Sequence, residues 1–247
     1  MKLVYQVDDG VGAITLTNPP YNSLRRPRFE DIDVLRGFLA RDELRGVVVR
    51  GDGRHFCAGA DLVELERLRQ EPEALARELD QGRELLEALG LATVPVVAAI
   101  RGSCLGAGLE IALACHFRVA SENAILGFPE SSLGLMPGLG GTAMAPRVLS
   151  RAAAIDLLVS GRMIDASEAR DIGLVDRVVP TRDVDGIARE LLVTLVERRP
   201  THVIRAVMEA VHNARRLSPD AALREEGRLF LQVARETARQ RLEEGDR

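Results

Sequence analysis

The sequence predicts an α/β fold that ends in a helical region. Short apolar runs typical of buried strands alternate with helical patterns early in the chain, and from Thr142 onward helical patterns dominate. No Ser-, Gly- or Pro-rich tract divides the chain. We therefore expect one core over residues 1–190, which would contain the functional site, and a helical region over residues 191–247.

Composition argues against several classes of function. The 247 residues are 46% hydrophobic and carry a formal net charge of −4, which suits one sizeable core and offers no basic surface for nucleic acid. The apolar segment VPVVAAIRG is broken by Arg101 before it reaches the roughly 18 residues of a membrane span. The first residues lack signal-peptide architecture, and the 3 cysteines lack metal-ligand spacing. We expect a cytoplasmic protein without a metal ion, a membrane segment or a nucleic-acid partner.

The first quarter of the chain predicts a hairpin, a helix and a buried strand. Leu3–Val7 and Gly12–Thr17 alternate in polarity, and Asp8-Asp9-Gly10 between them is typical of a tight turn. Apolar residues at helical spacing predict a helix from Phe29 to about Ala40. The run GVVVRG, Gly46–Gly51, is continuously apolar between glycines and predicts a strand covered on both faces.

The middle of the chain repeats this strand-and-helix pattern. A helical pattern covers Leu62 to Leu91 with an interruption near Pro72, and the strand VPVVAAIRG then leads through a glycine turn into the helix LEIALACHF. We expect further strands near Phe117–Ala120 and Ala124–Gly127, and a last one over Gly173–Val179.

Two glycine turns follow predicted strands and precede predicted helices. They are Ala58-Gly59-Ala60 in HFCAGADL and Gly106-Ala107-Gly108 in RGSCLGAGLE. Small residues at such points let a backbone N–H point outward, and two N–H groups that converge on one oxygen form an oxyanion hole for an ester or thioester. Tight packing is the favoured explanation of either turn alone, so a second observation is needed for an oxyanion hole.

Two glutamates supply that observation. Glu110 lies four residues after Gly106, one turn into the predicted helix, although the helix dipole alone would also explain an acid there. Glu130 follows Pro129 in the apolar loop GFPESSLGLMPGLGG, where a carboxylate costs free energy of desolvation unless it is used. Two carboxyl groups near one carbonyl would repel when both are ionised, so one is expected to hold a proton, as acid–base catalysis requires.

These segments together resemble the crotonase family of enoyl-CoA hydratases and isomerases. The similarity covers most of the chain, in the motifs NPPYNSL, FCAGADL, RGSCLGAGLEIALACHFRVA, FPESSLGLMPGLGGT and LLVSGRMIDASEARDIGLVDRVV. The resemblance implies a spiral of ββα units whose C-terminal helices, residues 191–247 here, pack a homotrimer or homohexamer and cover the site. It also implies that the N–H groups of Ala60 and Ala107 form the oxyanion hole.

The resemblance further implies a reaction. Family hydratases use two glutamates, which match Glu110 and Glu130, to add water across a 2-enoyl thioester. Glu110 would take the proton from water and Glu130 would deliver one to C2. We expect no cofactor beyond the coenzyme A of the substrate. The positions that the resemblance implies around the substrate are Ser23, Arg25, Ala58, Gly59, Asp61, Gly106, Pro129 and Gly138.

Alternatives remain at this point. The same oxyanion hole would serve a double-bond isomerase, a dehydratase of a branched hydroxyacyl thioester or an enzyme that cleaves the thioester. A catalytically silent subunit of the same fold is a hypothesis from a different class. The C-terminal sequence lacks the glycine–aromatic–lysine tail common in the family, which leaves an acyl carrier protein open as the source of the thioester. Arg25, Arg26 and Arg28 are candidates for the phosphates of coenzyme A. Asp61 is expected to cap a helix as well.

Overall fold

The structure is a computed structural model that describes residues 1–245, and it confirms the α/β prediction. The strands among these residues are β1 (Lys2–Asp8), β2 (Val11–Thr17), β3 (Gly46–Gly51), β4 (Val96–Ile100), β5 (Ser103–Leu105), β6 (Phe117–Ser121), β7 (Ile125–Gly127), β8 (Met163–Asp165) and β9 (Arg177–Val179). Strands β1-β2-β3-β4-β6-β9 form one sheet in that order, and β5-β7-β8 form a smaller sheet. In the large sheet only β1 runs antiparallel to its neighbour.

Helices surround both sheets and dominate the last third of the described chain. They are α1 (Ile32–Leu39), α2 (Leu62–Arg69), α3 (Pro72–Gly90), α4 (Ala107–Ala114), α5 (Gly141–Met144), α6 (Arg151–Ser160), α7 (Ala166–Asp171), α8 (Val184–Val196), α9 (Thr201–Arg216) and α10 (Pro219–Gly245). Among the described residues, no helix is both long and apolar enough to cross a bilayer.

The large sheet is covered on both faces, which explains its continuously apolar strands. Val47 and Val49 of β3 face the main core with α1 and α3. Val48, between them, points to the opposite face, where Ala188 and Leu192 of α8 cover it. Because both faces of a parallel strand are buried, alternation of polarity is lost, as predicted for Gly46–Gly51.

Two predicted interruptions are confirmed. The turn after β1 has positive φ at Asp9 (48°) and Gly10 (72°), the signature of a two-residue hairpin turn. The long helical pattern breaks into α2 and α3 where Pro72 occupies the first turn of α3.

The prediction of a strand over all of Gly173–Val179 is wrong for its first four residues. Gly173 has φ +82° and ends α7, with its N–H donating to Arg170 O and the Leu174 N–H donating to Ala169 O. This is a helix cap, and the apolar residues after it are buried against the core without pairing in the sheet. Strand β8 was not predicted at all, because three residues carry no recognisable periodicity.

The C-terminal helices α9 and α10 form an antiparallel pair at the end of the chain, and α10 packs along α9. Large apolar side chains of α10 face solvent, among them Leu223, Phe230 and Leu231, which are 66%, 70% and 56% exposed. The last residues of the predicted helical region, 246 and 247, lie outside the described residues.

Candidate active site

The two glycine turns lie side by side. The Cys57 N–H donates to Ser103 O and the Leu105 N–H donates to Cys57 O, both at 3.0 Å, so the segment before one turn runs along the strand before the other. Gly59 has φ +97° and Gly106 has φ +50°, conformations that L side chains rarely adopt. A Cβ on Gly59 would lie 3.0 Å from Leu105 O. Glycine is therefore required for this close approach of two backbones.

Each turn leaves backbone N–H groups without a protein partner among the described residues, and Ala60 and Ala107 each carry one of them. Around Ala60, the neighbours make the bonds: Leu24 N–H donates to Gly59 O, and Asp61 N–H donates to Leu24 O. Ala107 is the first residue of α4, where an N–H has no intrahelical acceptor. Among the described residues neither Ala60 N–H nor Ala107 N–H has an acceptor, and both residues line one cavity. Two such donors can hold an oxygen that develops negative charge.

Glu110 is buried in the first turn of α4, with 1% of its surface exposed. Its Oε1 accepts hydrogen bonds from Leu139 N–H at 2.8 Å and Gly141 N–H at 2.7 Å. A Cβ on Gly141 would lie 3.2 Å from that oxygen, so glycine lets the loop approach the carboxylate. The side chain is thus fixed in position by backbone donors.

Glu130 lies on the other side of the turn at Gly106. The Gly106 N–H donates to Gly127 O at 2.9 Å, which brings the one-turn helix Pro129–Leu133 next to that turn. A Cβ on Gly106 would lie 2.5 Å from Glu130 Oε1. Glu130 Oε2 is buried and has no hydrogen-bond partner among the described residues. A buried carboxylate oxygen without a partner favours the protonated form.

The pKa values of both carboxyl groups are raised. Burial raises the pKa of Glu110 to about 7, opposed by the Gly141 and Leu139 N–H groups and reinforced by the Glu130 carboxylate. Burial also raises the pKa of Glu130. Two acids that repel each other in an apolar setting do not ionise together readily, so the pair can hold one proton near neutral pH.

One cavity of about 150 Å³ brings most of the sequence-predicted residues together. Those that line it are Arg25, Ala60, Asp61, Ala107, Glu110, Glu130 and Gly138. Those outside its lining are Ser23, Ala58, Gly59, Gly106 and Pro129. Ser23, Gly59, Gly106 and Pro129 each adjoin a lining residue in the chain, and Ala58 lies two residues before Ala60. Ser23 accepts a hydrogen bond from the Asn18 side chain at its carbonyl oxygen.

The polar residues at the mouth are partly engaged. Asp61 Oδ1 accepts from Val63 N–H and Glu64 N–H, which confirms that it caps α2. Arg26 pairs with Glu78 and Arg28 with Asp31, both at 3.2 Å.

Comparison with known proteins decides the family. Residues 6–245 match the enoyl-CoA hydratase/isomerase family. The chain belongs to this family. A probable enoyl-CoA hydratase of Bacillus subtilis (strain 168) is 35% identical over 91% of this chain and 87% of its own length. A fatty acid β-oxidation multifunctional protein of Cucumis sativus is 37% identical over 77% of this chain, which spans 27% of that larger protein.

Solved structures of the family share the fold. An enoyl-CoA hydratase of Polaromonas sp. JS666 superposes with a TM-score of 0.85 at 31% identity, over 94% of this chain and 91% of that chain. A structure from Thermobifida fusca YX, described as a putative enoyl-CoA hydratase in complex with CoA, superposes with a TM-score of 0.79 at 28% identity, over 96% of this chain and 94% of that chain. The predicted crotonase fold, with two sheets and C-terminal helices, is confirmed.

Sequence reasoning missed two parts of this crotonase site. Glu110 accepts hydrogen bonds from the N–H groups of Leu139 and Gly141, which are 29 and 31 residues away along the chain. A local sequence pattern does not indicate which backbone N–H groups will act as such donors. Leucines of α2 and α3 form the apolar wall, and their helical spacing looks like that of any core-facing helix.

Proposed function

We propose that the chain hydrates 2-enoyl thioesters of coenzyme A to 3-hydroxyacyl thioesters. The observation that carries the proposal is a single apolar cavity lined by the buried carboxyl group of Glu110, the half-buried carboxyl group of Glu130 and two backbone N–H groups without acceptors. Hydration needs these four groups and no others: donors for the thioester oxygen, a base for water and an acid for C2.

The thioester carbonyl binds between the N–H groups of Ala60 and Ala107. When water attacks C3, negative charge moves onto the thioester oxygen. The Ala107 N–H also lies at the positive end of the α4 helix dipole. One donor of this kind contributes roughly 3–4 kcal/mol to the transition state.

Glu110 is the base. Its Oε1 is occupied by the N–H groups of Leu139 and Gly141, which leaves Oε2 to hold the water and take its proton as the oxygen bonds to C3. These two donors partly oppose the effect of burial on the pKa of Glu110, which is about 7, so above that pH the carboxyl group is in the ionised form that a base must begin in.

Glu130 is the acid. Its Oε2 is buried without a partner, which favours the protonated state that a donor must begin in. The proton passes to C2, so the product gains OH at C3 and H at C2. Glu110 ends protonated and Glu130 ionised, and proton exchange through the next water restores the starting state.

Coenzyme A is the carrier that the comparisons favour, since a relative of the same fold was solved with CoA bound. Arg25 lines both the site and an adjoining surface cavity with Lys2 and Arg67, so a cation lies where the phosphates of the carrier would leave the site.

The test is the loss of conjugated-enoyl absorbance when crotonyl-CoA is added. We expect Glu110→Gln and Glu130→Gln each to lower kcat at least about 100-fold, because each removes one proton-transfer group. Glu122→Gln, at an exposed glutamate, is the matched control and should leave kcat unchanged.

Product analysis separates the alternatives. A product in which the double bond has moved without gain of oxygen would identify an isomerase. If CoA thioesters are not consumed but the same acyl group on a carrier protein is, the substrate is a thioester of a carrier protein and not of coenzyme A. No consumption of either would indicate a silent subunit.

A further inference from the structure

We propose that the acyl group of the substrate is a short, purely hydrocarbon chain of about four to six carbon atoms in total. The inference rests on the function proposed above and names the substrate class of that same site. It starts from the size of the cavity, which is about 150 Å³ and includes the space around Glu110 and Glu130. A cavity of roughly 150 Å³ is known to hold benzene, with its six carbon atoms. The reacting carbons and the tail must therefore share the room of about six carbons.

The wall of the cavity is hydrocarbon away from the two carboxyl groups. Most of its side chains come from α2, α3 and the loop after Glu130, and the leucines among them are Leu65, Leu68, Leu75, Leu79, Leu135 and Leu139. Leu24, Pro27 and Met136 complete the apolar lining. A hydroxyl or carboxylate on the acyl chain would lose its water there and find no partner, which disfavours polar acyl groups.

The other charged residues around the cavity do not provide a partner for a polar acyl group. Arg25 also lines the adjoining surface cavity, which places it at the mouth. Arg69 is exposed and pairs with Glu66 at 3.0 Å, and Asp61 caps α2. None of these three groups offers a buried partner to the far end of an acyl chain.

Leu75 and Leu79 of α3 make different contacts in this wall. A Cβ on Gly138 would lie 2.9 Å from Leu79 Cδ2, so Leu79 packs on the loop whose neighbouring N–H groups hold Glu110. Leu75 is half-buried and lines the cavity. Truncation of Leu75 therefore enlarges the cavity while leaving the packing of Leu79 on that loop in place, and we assign part of the limit on chain length to Leu75.

The first experiment measures kcat/KM for 2-enoyl-CoA substrates of four, six, eight and ten carbons. We expect the maximum at four or six carbons and a fall of at least about 10-fold from six to ten, since one methylene in a hydrophobic pocket is worth roughly 10- to 200-fold. A maximum at eight or ten carbons would overturn the inference.

If no chain is hydrated, the proposed function fails, and the affinities for butyryl-, hexanoyl- and decanoyl-CoA then test the inference on chain length. Tightest binding of decanoyl-CoA overturns it, and tightest binding of either shorter thioester supports it.

The second experiment uses Leu75→Ala. We expect the ratio of kcat/KM for eight carbons to that for six to rise about 10-fold, because the removed side chain makes room for the added methylenes. Leu158→Ala, at a half-buried leucine of α6 outside the cavity, is the matched control and should leave this ratio unchanged. An unchanged ratio in a folded Leu75→Ala variant, or an equal rise in the control, would contradict the assignment of Leu75.

Discussion

Glu110 lowers the stability of the fold at neutral pH and is kept in place by backbone donors. Its pKa is raised from 4.5 to about 7 by burial, so the folded state binds its proton more tightly than the unfolded state does. A raised carboxyl pKa contributes stability below about pH 4.5, and this contribution is lost as the pH rises through 7. At pH 8 the folded protein holds a buried charge that the unfolded chain would expose to water.

Replacing that charge should therefore stabilise the protein. We expect Glu110→Gln to raise the free energy of unfolding at pH 8 by up to about 3 kcal/mol and to have little effect near pH 4, because the pKa of the carboxyl group rises from 4.5 to about 7 on folding. Urea denaturation at both pH values measures this, with Glu122→Gln as the control. A Glu110→Gln variant that is less stable than the parent at pH 8 would contradict the buried-charge account.

The activity should depend on pH through the same group. Because Glu110 must be ionised to accept a proton, kcat/KM for crotonyl-CoA should fall below about pH 7, roughly tenfold for each further unit. A profile of kcat/KM between pH 5 and 9, with circular dichroism to confirm that the protein stays folded, checks this. Constant kcat/KM down to pH 5 would exclude Glu110 as the base.

At the scale of elements, the turn from β5 into α4 aligns three parts of the site. Gly106 begins the turn, Ala107 supplies an N–H and Glu110 follows one helical turn later. Since Gly106 also lies against Glu130, a change at this one position would disturb both carboxyl groups.

Gly106→Ala tests that alignment. Its φ of +50° strains any side chain, and the new Cβ would lie 2.5 Å from Glu130 Oε1, so Glu130 must move and we expect kcat to fall at least about 100-fold. Gly53→Ala is the matched control, because Gly53 has φ +75° with nothing within 4 Å of the added Cβ. It should lose stability by about 1 kcal/mol and keep its kcat. Equal kcat in the two variants would show that the contact with Glu130 does not matter.

The sequence predicted those elements whose pattern is set locally. The strand Gly46–Gly51 and the break at Pro72 follow from continuous apolar residues and from a missing N–H. The small sheet of β5, β7 and β8 was only partly predicted, because its three-residue strands are defined by partners far along the chain. The two glutamates were found because each occupies an unusual position in the sequence. The N–H groups that bind Glu110 and the leucines of the cavity wall could be identified only from the tertiary structure, because they are distant along the chain.

At the scale of the whole molecule, α9 and α10 carry an apolar surface that the described chain leaves open. Phe230 and Leu231 are mostly exposed, and large exposed apolar side chains that are neighbours on one helix favour an interface there. The boundary predicted at residue 190 falls inside α8, which covers the large sheet, so the helices left for assembly are α9 and α10.

We expect these helices to pack a homotrimer or homohexamer. Light scattering should give three or six times the chain mass, and Phe230→Glu should reduce that number by placing a charge in the interface. Gln232→Glu, which adds a charge at an exposed polar position of the same helix, should leave the assembly intact. A monomeric parent protein would contradict the assignment.

The most direct test of the account is a crystal structure with butyryl-CoA, a saturated thioester that binds but cannot be hydrated. We predict that the thioester oxygen lies roughly 2.7–3.1 Å from the backbone nitrogens of both Ala60 and Ala107, with C2 and C3 between the carboxyl groups of Glu110 and Glu130. A thioester bound outside this cavity, or either carboxyl group turned away to pair with an arginine, would contradict it.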